Sequence, residues 1–136
     1  MYRLLVTGGR RYDRADVVAR VLERALVVHG DTLVVVHGAC GADADRPWDH
    51  HTPTGADGLA HRWALWRGVR VEPHPARWGS SGRGAGPARN ADMVRLGADA
   101  CVAFPGGNGT EDCKRRALGA GIRVGIVSLA GALTWQ

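Results

Sequence analysis

Short apolar runs rich in β-branched residues alternate along the chain with longer amphipathic stretches. The runs predict five β-strands, at residues 3–7, 32–37, 69–72, 100–104 and 123–127. Because they are apolar at nearly every position rather than at every second one, strands buried on both faces of a sheet are expected. Strands that alternate with helices form parallel sheets with crossover helices. The pattern therefore predicts a Rossmann-like α/β fold, a doubly wound parallel sheet of about five strands with helices on both faces.

Four stretches between the runs repeat apolar residues at the three- and four-residue spacing of a helix. Their apolar positions are Val17, Val18, Val21, Leu22, Ala25 and Leu26; Leu59, Ala60, Trp63, Ala64 and Trp66; Met93, Val94 and Leu96; and Cys113, Ala117 and Leu118. Each stretch would pack its apolar side on the sheet. The two tryptophans of the second stretch are therefore expected in the core.

Two connections are long, at residues 38–57 and 73–87. Connections of more than about 12 to 15 residues are usually either functional or disordered, and both follow the carboxyl end of a strand, where open α/β sheets bind ligands. The tripeptide Gly-Ala-Asp occurs twice in the first connection, and only the copy that ends at Asp57 runs into a helical pattern. Asp57 is therefore predicted to begin that helix, and residues 44–53 to form a polar loop insertion.

Residues that can bind metals are concentrated in and beside this insertion. They are Asp43, Asp45, Asp49, His50 and His51. Their spacing matches neither a helical nor a knuckle-type metal site. A solvated loop is therefore expected, and neither a metal nor another cofactor is predicted.

Length and charge limit the classes of protein that need consideration. The 136 residues fit a single domain that spans residues 1–136. The net charge is +5, and Lys114 is the only lysine among 18 basic residues. Either an anionic partner or a codon bias toward arginine accounts for this composition. Because the arginines are scattered rather than clustered with aromatic residues, tight nucleic-acid binding is not expected.

The same sequence argues against membranes and secretion. No apolar run approaches the roughly 20 residues that span a bilayer, and the first residues read as a strand rather than as a secretory signal. Cys40, Cys101 and Cys113 are too widely spaced for a disulfide framework or a metal knuckle. A cytoplasmic protein without a membrane partner is expected.

The most specific motif is Pro105-Gly106-Gly107-Asn108-Gly109-Thr110, between the fourth strand and a helix predicted to begin near Thr110. Glycines let several backbone N–H groups converge, and the start of a helix adds partial positive charge, so the segment suits a phosphate. Thr110 would cap the helix or donate its hydroxyl to the anion. A plain tight turn is the alternative, but three glycines between proline and threonine favour phosphate binding.

A second glycine loop follows the first strand and contains Gly8, Gly9 and Arg10. The first and fourth strands of a doubly wound sheet flank its topological switch point, so both glycine loops are expected to face one crevice. This loop is not a GxGxxG fingerprint, and no acidic residue ends the second strand to bind a ribose diol. An ordinary nicotinamide-dependent dehydrogenase is therefore disfavoured.

A third segment brings Arg89 and Asn90 to the same edge. Pro87 suits the first turn of a helix, which places both residues near the helix start. Arg89 would bind a phosphate or carboxylate through two hydrogen bonds, or it is a surface arginine on an exposed turn. Trp78, in the second long connection, either covers a bound base or takes no part in binding.

Together these motifs resemble YspA-type members of the SLOG superfamily, over nearly the whole chain apart from residues 44–53. The matching segments are Thr7-Gly8-Gly9-Arg10, Gly55-Ala56-Asp57 with Leu59-Ala60 and Trp63-Ala64, His74 to Trp78, Ala85-Gly86-Pro87 with Arg89-Asn90 and Met93, and Phe104 to Thr110. This superfamily has a Rossmann-like fold and includes the LOG enzymes, which hydrolyse the N-glycosidic bond of nucleoside 5′-monophosphates. The resemblance implies a nucleotide or other phosphate-bearing small molecule as ligand. It is either hydrolysed to base and ribose 5-phosphate or sensed without reaction.

The resemblance also implies which residues bind this ligand. The LOG phosphate loop matches Pro105, Gly106, Gly107, Gly109 and Thr110, and the LOG arginine that precedes a methionine by four positions matches Arg89 and Met93. The expected binding set is Gly8, Gly9, Arg10, Gly55, Asp57, Arg89, Asn90, Pro105, Gly106, Gly107, Asn108, Gly109 and Thr110. LOG relatives pair through helices beside the crevice, so a homodimer is expected.

One position departs from the LOG pattern. LOG enzymes carry a glutamate three positions after the threonine, and Cys113 stands there in this chain. Glycosidic cleavage passes through a positively charged transition state that a carboxylate stabilises, so a substitute is needed. Arg89, Glu111 and Asp112 are the candidate catalytic residues. Asp57 and Asp92 are further candidate carboxylates.

Overall fold

A computed structural model describes all of residues 1–136. It contains one six-stranded sheet in the order β3-β2-β1-β4-β5-β6, in which the first five strands are parallel and β6 is antiparallel to β5. The strands are β1 (Tyr2–Thr7), β2 (Leu33–His37), β3 (Arg70–Pro73), β4 (Ala100–Ala103), β5 (Arg123–Val127) and β6 (Leu133–Trp135). The predicted doubly wound α/β fold is confirmed, and β1 and β4 pair at its centre.

Five α-helices connect the strands. They are α1 (Ala15–His29), α2 (Gly55–Arg67), α3 (Trp78–Ser81), α4 (Ala85–Leu96) and α5 (Asn108–Gly119). Helices α1 and α2 pack on one face of the sheet, and α4 and α5 on the other. None of these helices combines the length and the apolar composition that crossing a bilayer requires.

Successive side chains of the buried strands pack into two separate hydrophobic cores, one on each face of the sheet. In β1, Leu4 and Val6 pack against α1 and α2, whereas Leu5 packs on the opposite face with Met93 and Cys113. This alternation follows from the two-residue period of a strand. The continuous apolar runs in the sequence therefore reflect a sheet that is covered on both faces.

Several predicted details were wrong. Strand β6 was missed because it has three residues and lies at the sheet edge. Trp63 is buried, but Trp66 is 78% exposed, because it extends the helical spacing past the face that meets the sheet. Helix α2 begins at Gly55 rather than at Asp57, and α5 at Asn108 rather than near Thr110.

The second long connection is partly helical. It contains α3 and a short 3-10 turn, Gly82–Gly84, before α4 begins. The first connection meets it directly, because Asp43 and Ala76 form an isolated parallel bridge and the Ala44 N–H donates to the Ala76 carbonyl at 2.9 Å. The two long connections therefore form one wall above the carboxyl ends of β2 and β3.

Candidate functional site

A cleft of about 700 Å³ opens at the carboxyl edge of the sheet, beside the switch point between β1 and β4. Its lining comes from six segments of the chain: Val6, Thr7, Gly8, Gly9, Arg10; Gly38, Cys40, Gly41; Asp57; Trp78; Gly86, Pro87, Arg89, Asn90, Met93; and Gly107, Asn108, Gly109, Thr110, Glu111, Asp112, Arg115. The two glycine loops and Arg89 thus meet in one crevice, as the strand order predicts.

The loop after β1 packs so closely on its neighbours that it excludes side chains. A Cβ added to Gly8 would lie 2.5 Å from the Ala56 Cβ. The Gly9 N–H donates to the Pro105 carbonyl at 2.9 Å, and the Gly9 carbonyl accepts from the Ala56 N–H at 3.1 Å. These contacts fix the first glycine loop against both the start of α2 and the second glycine loop.

Gly55 has a structural role in this arrangement. Its φ is +60°, and a Cβ there would overlap the Gly9 carbonyl oxygen. Gly55 does not line the cleft, although the sequence placed it in the binding set. It acts through packing, since it allows α2 to approach the β1 loop.

The second glycine loop presents the start of α5 to the cleft. A Cβ on Gly106 would overlap the Thr110 hydroxyl oxygen, so glycine is required beside this threonine. The first helical hydrogen bond closes from the Glu111 N–H to the Gly107 carbonyl at 3.0 Å. The N–H groups of Asn108, Gly109 and Thr110 lie ahead of it, where a helix offers no acceptor. These amides, with the helix dipole behind them, suit an anion.

Not every residue of the predicted phosphate loop reaches the cleft. Pro105 and Gly106 lie outside its lining, because they form the turn that supports the loop. Thr110 is buried in the first turn of α5 rather than at its cap. The surface available to an anion therefore begins at Gly107.

Arg89 crosses the floor of the cleft from α4. Its Nη1 donates to the Gly38 carbonyl and, at 3.5 Å, to the His74 carbonyl, and its Nε donates to Asn90 Oδ1 at 2.9 Å. Its Nη2 has no partner within the protein, so two N–H groups remain for a ligand. A Cβ on Gly38 would lie 2.5 Å from Nη1, so the guanidinium passes only because position 38 is glycine.

Asn90 joins two helices rather than facing a ligand freely. It is buried, and its Nδ2 donates to the Gly109 carbonyl at 3.2 Å and to Asp112 Oδ2 at 3.0 Å. Asp112 also accepts from Arg115 at 2.7 Å and from Arg116 at 2.9 Å. Burial alone would raise the pKa of Asp112, but the hydrogen bonds from Arg116 and Asn90 outweigh it and lower the pKa. Asp112 is thus an ionised carboxylate that is already well paired.

Asp57 is the buried carboxyl group of the cleft. It lies in the first turn of α2 with 6% of its surface exposed, and its Oδ2 accepts from the Cys40 N–H at 3.0 Å. Burial raises its pKa to about 6, against the smaller opposing effects of the Arg89 charge and of the backbone N–H groups of Cys40 and Gly38. A carboxyl group in this condition exchanges a proton near neutral pH.

A pair of buried histidines supports the loop that carries Gly38 and Cys40. The Ala39 N–H donates to His37 Nδ1 at 2.9 Å, so the neutral His37 ring carries its proton on Nε2 and donates to His61 Nδ1 at 2.8 Å. Burial lowers the pKa of His37 to about 3, with the nearby positive groups adding to the effect. Neither histidine lines the cleft.

The histidine pair stabilises an unusual backbone conformation. Ala39 has a φ of +49°, in the left-handed region that residues other than glycine rarely adopt. The hydrogen bond from the Ala39 N–H to His37 Nδ1 stabilises this conformation. Backbone strain of this kind is often found beside functional sites. Here the left-handed conformation of Ala39 turns the chain so that the Cys40 N–H reaches the Asp57 carboxylate.

The remaining candidates divide clearly by position. Glu111 lines the cleft, is exposed and pairs with Lys114 at 2.9 Å. Asp92 is exposed, pairs with Arg95 and lies outside the cleft. Cys113, on α5, is fully buried in the core, where its hydrogen bond to Cys101 and then burial raise the pKa of the Cys101 thiol. No group of three or more His, Cys, Asp and Glu side chains is close enough to hold a metal ion.

Sequence reasoning missed part of the cleft. Gly38, Cys40 and Gly41 line it, and so do Gly86 and Arg115. The one available signal was the glycine directly after β2, at the edge where ligands bind. Arg115 gave none, because an arginine in the second turn of a helix reads as a surface residue.

No protein-family model matches the chain. It is 41% identical over 132 residues to the Gene 61 protein of Mycobacterium phage D29, and the alignment covers 91% of this chain and 94% of the phage protein. The chain belongs to the family of that phage protein. The name of this phage protein specifies neither a ligand nor a reaction.

Proposed function

We propose that this protein binds a nucleotide in the cleft, with a phosphate on the start of α5. The observation that carries the proposal is the meeting of three free backbone N–H groups, at Asn108, Gly109 and Thr110, with the guanidinium of Arg89 in one cleft. Arg10 and Arg115 add positive charge at the rim. The resemblance to the SLOG superfamily supports the same ligand class.

Hydrolysis of the N-glycosidic bond is the reaction that these residues would support. Water would add to C1′ of the ribose as the bond to the base breaks, and the leaving nitrogen would take a proton, giving free base and ribose 5-phosphate. Asp57 is the best-placed proton donor, because its raised pKa keeps a fraction of it protonated near neutral pH. Asp112 and Glu111 are held as ion pairs, which favours a binding role for them.

A non-catalytic nucleotide sensor is the second candidate. The observation in its favour is Cys113, which occupies the LOG glutamate position and points into the core. A site without that carboxylate would retain the phosphate contacts and lose a charge that assists bond cleavage.

One experiment separates these candidates. The protein is incubated with a panel of nucleoside 5′-monophosphates, thermal stabilisation is recorded, and chromatography measures free base. If the wild type and Asp92→Asn release free base and Asp57→Asn does not, the protein is a hydrolase with Asp57 as its general acid. Stabilisation without release would establish the sensor. The absence of both for every monophosphate would refute the nucleotide proposal.

A further inference from the structure

Hydrogen bonds connect helix α3 and the residue before it to Asp45, in the insertion at residues 44–53. Asp45 Oδ2 accepts from the Ser80 N–H at 3.0 Å and from the Ser80 hydroxyl at 2.7 Å, and Asp45 Oδ1 accepts from Arg77 at 3.3 Å. The Ser80 and Arg77 contacts lower the pKa of Asp45 despite the opposing effect of its desolvation, so the carboxylate remains charged. A four-residue helix has little stability of its own, so α3 depends on tertiary contacts, and these hydrogen bonds are among them.

Trp78, the first residue of α3, lines the cleft. Its indole lies against Gly86 of α4, where an added Cβ would come within 3.0 Å of the ring. Trp78 is 38% exposed, so the residue is not fully covered by its neighbours. Trp78 is the one aromatic side chain among the residues that line this cleft.

Trp78 and the proposed phosphate site follow different strands of the sheet. The amides of α5 follow β4, whereas Trp78 follows β3, and β2 and β1 lie between these strands. The carboxyl ends of β3 and β4 are therefore three strand spacings apart, about 14 Å. Trp78 and the start of α5 line the same cleft, so the cleft connects the proposed phosphate site with the indole.

We infer that Trp78 is the stacking surface for the base of the nucleotide, and that Asp45 is the residue that positions it. This inference rests on the proposed function and deepens it, because it makes a planar aromatic ring part of what the cleft recognises. It also gives the insertion a role in binding. Stacking tolerates every base, since each has a π-face, so Trp78 provides affinity for bases in general rather than for one of them.

The test compares ligands that carry a base with one that lacks it. Calorimetry gives the Kd of the four common nucleoside 5′-monophosphates and of ribose 5-phosphate. Trp78→Ala should weaken the tightest monophosphate about 10- to 100-fold and leave ribose 5-phosphate within about twofold, because only the stacking contact is lost. Trp78→Phe should recover part of the affinity. Trp66→Ala, which removes an exposed tryptophan outside the cleft lining, should change neither Kd.

Variants of the insertion test the positioning role. Asp45→Ala should weaken the monophosphate several-fold and spare ribose 5-phosphate, and Asp45→Asn should recover affinity because its oxygen still accepts from Ser80. Asp49→Ala is the matched control, since Asp49 bonds only to His51 and Thr52 within the insertion. If Trp78→Ala folds poorly, Gly86→Ala replaces it in the test. The added methyl group displaces the indole, so this variant should also weaken the monophosphate and spare ribose 5-phosphate.

The possible failures are distinguishable. If the wild type binds ribose 5-phosphate and a monophosphate, and Trp78→Ala shifts both equally or neither, the stacking inference is wrong and nucleotide binding stands. If Asp45→Ala and Asp49→Ala behave alike, Asp45 does not position Trp78. If the wild type binds none of the five ligands, the proposed function and this inference fail together.

Discussion

The two sides of the cleft are built in different ways. On the side of β1 and β4, two glycine loops present backbone N–H groups, and the fit depends on side chains being absent at Gly8, Gly55 and Gly106. On the side of β2, the cleft is formed by the side chains of Asp57 and Arg89, which are partly or wholly withdrawn from water.

This difference affects stability as well as binding. Close backbone packing on the glycine side stabilises the fold and forms the proposed anion site with the same contacts. The polar side buries an ionisable group, which disfavours its charged form and lowers stability near neutral pH. The glycine side is therefore expected to be intolerant of added atoms, and the polar side to gain stability when its charge is removed.

The largest effect is expected for Gly55→Ala. The added methyl would overlap the Gly9 carbonyl oxygen, and the positive φ adds strain, so we expect a loss of about 3 to 4 kcal/mol in the free energy of unfolding. Urea denaturation measures this loss. Gly107→Ala is the control, because nothing lies within 4 Å of its Cβ position and its φ is −107°. Equal stability of the two variants would contradict the packing argument.

Asp57→Asn should act in the opposite direction. The carboxyl ionises near 3.8 in the unfolded chain and near 6 in the folded protein, so the folded state holds more protons between these pH values and loses stability as the pH rises. The substitution should stabilise the protein by up to about 3 kcal/mol at pH 8 and by much less at pH 4. Urea denaturation at both pH values measures this, with Asp92→Asn as the exposed control. A gain in stability of the same size at pH 4 and pH 8 would exclude burial of the Asp57 charge as the cause.

Arg89→Ala tests the contribution of the polar side to binding. It removes a guanidinium that lines the same cleft as the proposed phosphate site, so the tightest nucleoside monophosphate should bind about 1.5 to 3 kcal/mol more weakly. Calorimetry below the unfolding temperature measures the Kd directly. Arg95→Ala, an exposed arginine on the same helix that pairs with Asp92, should leave the Kd unchanged. An unaltered Kd in Arg89→Ala would remove this residue from the site.

The smallest effect is expected for Cys113→Ala, which changes neither side of the cleft. Cys113 is fully buried in the core, so loss of its sulfur should cost about 1 kcal/mol of stability. Nucleotide affinity and any release of base should remain at the wild-type level, as calorimetry and chromatography would show. A loss of activity beyond the loss of folded protein would mean that position 113 reaches the ligand after all.

The sequence predicted the glycine side better than the polar side. The segment from Pro105 to Thr110 is contiguous, and its chemistry follows from its place between a strand and a helix. Asp57 was taken for the first residue of a helix, because a carboxylate before an apolar pattern commonly caps one. The structure instead places it within the first turn, where it turns inward to the Cys40 N–H.

The sequence by itself determined the order of the five parallel strands and the four long helices, because continuous apolar runs and helical spacing are local properties of the chain. It also determined that two glycine loops meet, since the strand order of a doubly wound sheet brings the ends of β1 and β4 together. Only the tertiary structure decided which polar groups are buried. The raised pKa of Asp57, the path of Arg89 past Gly38 and the attachment of Trp78 through Asp45 each join residues that are distant in the sequence. Burial and desolvation depend on all neighbours in space, and no local pattern specifies them.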